Sequence, residues 1–132
     1  MTKFQSIYED FTSALVRFEE VLKEEKNEFI RDSAIKRFEI VFDLSWKTVK
    51  AFLEEQHNAT CVSPKTCYRE AFRVGLVDYD EAWMKLCDDR NYTVHTYKES
   101  LAEKIYTGLP KHLSVFQKLN AALKEQGLLD NI

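Results

Sequence analysis

Eight consecutive residues, Arg90-Asn91-Tyr92-Thr93-Val94-His95-Thr96-Tyr97, concentrate a guanidinium, a carboxamide, an imidazole and a phenol. Arginine offers a planar fork of donors that matches phosphate oxygens. Histidine exchanges protons near neutral pH, which suits a general base or acid. On a helix turning about 100° per residue, Asn91 and His95 lie only about 40° apart and share a face, while Arg90 and His95 diverge by about 140°. Arg90 therefore reaches a phosphate held by His95 either around the helix end or across a two-fold interface. The second arrangement predicts a homodimer. The chemistry that suits this set is metal-free cleavage of an RNA phosphodiester. His95 would move the proton of the 2′-hydroxyl or of the leaving 5′-oxygen, and Arg90 would steady the phosphate charge. Asn91 would orient the histidine or a phosphate oxygen, and Tyr97 would bond to or stack on a base. The plainer alternative pairs Arg90 with Asp88 or Asp89 on the surface and leaves His95 to cap or pack.

The remaining residues of chemical interest have less company. His57 reads as a loop residue and His112 as a helix-surface one. No H-x-x-x-H, carboxylate–histidine cluster or glycine-rich phosphate loop occurs, so neither a metal nor a nucleotide-loop cofactor is expected. Cys61, Cys67 and Cys87 are odd in number and lack a C-x-x-C, which predicts three plain thiols, Cys87 in the core and the others near a loop.

The elements that must hold the motif are helical. Of 132 residues, 45% are hydrophobic and 31% charged, with three glycines and two prolines. That composition fits one domain over residues 1–132, built of a few long elements. The net charge of −3 excludes a broad non-specific grip on duplex nucleic acid and leaves RNA contact only around a local site. No apolar run is long enough to span a membrane, and the start lacks a signal peptide's apolar segment, so a cytoplasmic location is expected.

Thr2 and Gln5 have capping-box spacing, and Phe4, Ile7, Phe11, Leu15 and Phe18 form the stripe of a first helix reaching about Glu25. Asn27 caps a second, from Phe29 to about Gln56, whose main stripe includes Ala34, Phe38, Val41 and Val49. Beside it runs a mixed ridge of Ile35, Glu39, Asp43, Trp46 and Lys50. Two faces imply two neighbours, so Asp43, Trp46 and Lys50 are candidates for a ligand or partner groove. Ser63-Pro64 opens a short helix that stops at Gly75. Asp78 and Glu81 have the spacing to open a fourth, carrying the motif to about His95. A Thr96–Glu99 capping box would start the last helix, which Pro110 should kink or break and Gly127 should end, leaving the last five residues frayed. The sum is an all-α fold: an antiparallel up-and-down four-helix bundle with one additional short helix.

Several segments also carry a family likeness. Arg31-Asp32-Ser33-Ala34-Ile35-Lys36-Arg37-Phe38-Glu39 and Asp43-Leu44-Ser45-Trp46-Lys47-Thr48-Val49-Lys50 resemble the nucleotidyltransferase substrate-binding protein family. So do Ser63-Pro64, Arg69-Glu70-Ala71-Phe72 with Gly75-Leu76, and Asp89-Arg90-Asn91 with His95-Thr96-Tyr97. The likeness spans about Phe4 to Leu123. That family belongs to the HEPN superfamily of helical bundles, which commonly dimerise. The resemblance implies a minimal nucleotidyltransferase as partner, often as a toxin–antitoxin pair. It further implies metal-independent ribonuclease activity at R-x4-H-x-Y, silenced when the partner transfers AMP from ATP onto the tyrosine. Carried over by position, Arg90 and His95 would be catalytic, Asn91 supporting and Tyr97 the acceptor. Two alternatives stand beside this: a non-catalytic nucleotide- or substrate-binding subunit, and a purely structural interaction module.

Overall fold

The computed structural model describes residues 1–128, so the expectation of fraying beyond Leu128 lies outside the described residues. The described residues form five α-helices and one 3-10 turn: α1 (Lys3–Leu22), α2 (Glu28–His57), α3 (Pro64–Arg73), α4 (Ala82–Tyr92), the 3-10 turn (Thr93–His95) and α5 (Glu99–Glu125). The fold is all-helical, with α2 central and packed against the other four helices.

End-to-end contacts fix the helix directions. The Phe4 amide donates to the Glu55 carboxylate at 2.7 Å, joining the start of α1 to the end of α2. Tyr8 bonds to Asn120, and Lys26, just beyond α1, pairs with Glu103, so α1 also runs antiparallel to α5. Arg31 reaches Glu99 at 2.6 Å, which makes α2 and α5 parallel. Phe11, Phe18, Phe38, Phe52 and Phe116 are fully buried in one core, where Phe18 and Phe116 meet edge to face at 6.3 Å.

Local capping behaves as its chemistry requires at three helix starts. Thr2 and Gln5 form the reciprocal box, Asn27 accepts the Ile30 amide, and Ser63 with Thr66 forms a second box ahead of Pro64. Gly75 takes the left-handed conformation at φ 80°. Asn58 does the same at φ 48° to end α2, a stop that a short polar side chain tolerates.

Several expectations need correction. α4 starts at Ala82 with no side-chain cap from Glu81. The helix begins four residues after Asp78, the expected cap, and Asp80 accepts the Ala82 amide instead. α5 starts at Glu99 without the Thr96 cap. Thr96 Oγ1 turns back to the Thr93 carbonyl at 2.9 Å, and the Glu99 carboxylate is taken by Arg31. Pro110 is exposed and α5 runs through it unbroken. Only α1, α2 and α5 are long; α3 and α4 have 10 and 11 residues.

A further correction is covalent: Cys61 and Cys67 form a disulfide with Cα atoms 5.1 Å apart, where plain thiols were expected. Pro64 begins α3, so Cys67 is its fourth residue and Cys61 lies two before the Ser63 cap. Those are positions that a helix entry folds together, much as a hydrophobic staple does. Cys87 stays a free, buried thiol, and desolvation pushes its pKa up to about 11.

Candidate functional site

The motif lies where α4 runs out. Thr93 makes the transition: its Oγ1 donates to the Arg90 carbonyl at 2.7 Å and accepts from Arg90 Nη1 at 3.0 Å. Backbone and hydroxyl thus tighten the last α-turn into the 3-10 turn, a common way to satisfy the carbonyls of a helix end. The Lys98 amide then donates to the His95 carbonyl at 3.0 Å, and α5 departs.

This ending presents the polar set to solvent. Asn91, Tyr92 and His95, with Asp88, line a hollow of about 230 Å³. His95 Nδ1 and the Tyr97 hydroxyl stand 3.3 Å apart, with the rings edge to face at 5.9 Å. Tyr97 is 74% exposed. Arg90 leaves by another face. It is half-buried, its Nη1 lies 3.3 Å from the Glu39 carboxylate on α2, and it does not line the hollow. One chain therefore gathers Asn91, His95 and Tyr97 and holds Arg90 apart, as the helical angles require.

Glu39 was read only as part of the mixed ridge on α2, yet it is the carboxylate that meets Arg90, in place of Asp88 or Asp89. The other ridge residues are occupied differently. Asp43 accepts from Lys47 at 2.9 Å, Trp46 packs half-buried on the core, and Lys50 is half-buried without an ion pair among the described residues. A second hollow of about 270 Å³ lies beside Asn91, between Phe42, Pro64, Lys65 and Cys87.

Two polar clusters brace the motif from either end, one buried and one built on a buried arginine with exposed carboxylates. Asp89, next to Arg90, accepts from His112 Nε2 at 2.6 Å and from Lys85 at 3.0 Å, anchoring α4 to α5. His112 is 2% exposed and stacks on Phe38, so the surface assignment is corrected; it sits between Leu109 and Phe116 on the apolar face of α5, a signal the stripe already contained. Desolvation lowers its pKa against the opposing pull of Asp89. A neutral ring donating through Nε2 leaves Nδ1 buried without a partner.

At the other end, the buried Arg31 guanidinium holds Asp32 at 3.0 Å, Glu99 at 2.6 Å and Glu103 at 3.0 Å. Arg31 is the first cause of the lowered Glu99 pKa; Lys26 is the first for Glu103, with Arg31 second. This knot fixes the start of α5, two residues after Tyr97.

No group of three or more His, Cys, Asp or Glu side chains among the described residues is arranged to hold a metal. No helix among them is long and apolar enough to cross a membrane.

The fold defines a class, an all-helical bundle in which His95 and Tyr97 stand exposed between its last two helices, and known proteins match it. Residues 6–125 match the family model described as nucleotidyltransferase substrate binding protein like. A Haemophilus influenzae protein named as a probable ribonuclease HepT is 32% identical over 101 residues, covering 74% of this chain and 69% of that protein. A crystal structure of a Thermus thermophilus protein aligns with a TM-score of 0.81 at 36% identity, covering 86% of this chain and 98% of that one. A Haemophilus influenzae structure, described as the fold of a substrate-binding domain of a nucleotidyltransferase, aligns with a TM-score of 0.67 at 24% identity over 92% of this chain and 96% of that one. The chain belongs to the nucleotidyltransferase substrate-binding protein-like family.

Proposed function

We propose that the chain is a HEPN-type subunit of a minimal nucleotidyltransferase and carries a metal-independent endoribonuclease site at Arg90, Asn91 and His95. The observation that carries this reading is the exposed His95–Tyr97 contact at 3.3 Å on a chain that also turns Asn91 into the same hollow. His95 takes the proton of an RNA 2′-hydroxyl, whose oxygen attacks the adjacent phosphorus. The 5′-oxygen leaves and takes up a proton from an imidazolium. Arg90 stabilises the charge on the phosphate. In a homodimer, the Arg90 that completes a hollow comes from the second copy, which accounts for its separation from His95 within one chain. AMP joined to the Tyr97 oxygen puts a phosphate and a nucleoside against the imidazole, and that blocks access to it.

Chelator-treated protein is expected to cut single-stranded RNA, and His95→Ala to abolish cutting with the dimer intact; equal inertness of both on varied RNAs removes the ribonuclease reading. Incubation with the cognate nucleotidyltransferase and ATP is expected to add one AMP that maps to Tyr97 by mass spectrometry. The same adduct on Tyr97→Phe would move the acceptor elsewhere.

One observation favours a second reading, a non-catalytic binding subunit: the Glu39 carboxylate occupies Arg90 at 3.3 Å and draws it from the hollow. Under that reading Glu39→Gln leaves RNA uncut and changes only the affinity for the partner enzyme.

A further inference from the structure

A second concave site lies on the opposite flank of α2, outside the motif. α1 and α2 enclose a hollow of about 480 Å³, within the usual range of small-molecule pockets. Ala14 and Ile40 give it an apolar lining, and Ile40 leaves 43% of its surface uncovered by the core. Arg17, Lys36 and Arg37 bring three positive charges to the same hollow, against one carboxylate, Asp10.

These cations are available. Of the six arginines, Arg31, Arg73 and Arg90 are ion-paired, and two of the other three, Arg17 and Arg37, meet here. Neither these two nor Lys36 has an ion-pair partner among the described residues. Arg37 is also pre-positioned: its Nη1 donates to the Arg17 carbonyl at 2.7 Å, which pins the guanidinium across the two helices.

We infer that this groove binds a nucleoside phosphate. Guanidinium groups take phosphate oxygens through paired donors, and their flat faces, like the apolar lining, accept a base by stacking. Inorganic phosphate would leave Ala14 and Ile40 unused, and a wholly apolar ligand would desolvate three unpaired charges. The nucleoside phosphate has two sources, a free nucleotide or one unit of an RNA strand. Glu39, which holds Arg90, stands about 100° around α2 from Ile40 and about 160° from Arg37, so the groove and the motif occupy different faces of that helix. The site stands apart from the proposed cleavage, which bears only on the strand source.

Isothermal titration of the whole protein with AMP, ATP, inorganic phosphate and a hexaribonucleotide tests this, with the oligomer run on His95→Ala so that cutting does not intervene. Arg17→Glu, Lys36→Glu and Ile40→Asp are each expected to weaken nucleotide binding at least tenfold, with Lys36→Ala as the milder variant should the others unfold. Saturation by AMP or ATP identifies a free nucleotide, and saturation by the hexamer alone identifies a strand unit. No binding by either, phosphate binding as tight as AMP, or affinities unmoved by every groove substitution would each overturn the site, and each reads independently of RNA cutting.

Discussion

His112 and His95 carry the same imidazole into opposite surroundings. His112 is 2% exposed, stacked on Phe38 and bonded to Asp89 at 2.6 Å. His95 stands in solvent on a 3-10 turn, with the Tyr97 hydroxyl 3.3 Å away and an open hollow beside it. The buried ring has its donor held by Asp89 and is closed off from solvent and from any substrate. The exposed ring has a neighbour, access and, among the described residues, no carboxylate ion pair. A histidine with a charged partner is thus the brace here, and the one without is the candidate for chemistry.

The contrast breaks first at His95. His95→Ala is expected to lower RNA cutting at least about 100-fold, the ordinary share of a general acid or base, while the urea unfolding free energy moves by less than about 0.5 kcal/mol. Asp89→Ala should do the reverse. It strands a buried donor and is expected to cost about 2–3 kcal/mol in urea unfolding. A similar loss from His95→Ala would erase the distinction between the two rings.

Reduction of Cys61–Cys67 sharpens the separation between scaffold and site. Opening so short a loop is expected to lower stability by about 2 kcal/mol, read as a drop in melting temperature with dithiothreitol. Cutting by the protein that remains folded should stay within about twofold.

The smallest effect is a pH dependence. Burial holds the folded His112 pKa below the ordinary value of 6.5, against the pull of Asp89 and with Lys85 and Lys111 also lowering it. The unfolded chain therefore binds this proton more readily. The contribution to stability is complete above about 6.5 and is lost as the pH falls through the lower folded value. His112→Asn should flatten that slope in urea titrations, and His95→Ala should leave it unchanged.

Much of the scaffold was legible because its signals are local. The Thr2–Gln5 box, the Asn27 cap, Ser63-Pro64 and the left-handed Gly75 each involve groups within a few residues. Where two local signals competed, spacing alone misled. Thr96 had a cap position before it and a carbonyl behind it, and the 3-10 turn took it backwards. Cys61 and Cys67 had their cue in the helix entry between them, which a count of cysteines passes over.

The sequence by itself determined the helices, most of their ends, and the eight residues that place Asn91 and His95 on one face. Periodicity and capping act over three or four residues, so no distant contact was needed to read them. Only the tertiary structure decided that Arg90 meets Glu39, that Arg31 gathers Asp32, Glu99 and Glu103, and that His112 is buried on Asp89. Most of these partners lie far apart in the chain, and which charges pair depends on which helix faces meet, a choice made by the burial of the whole phenylalanine-rich core.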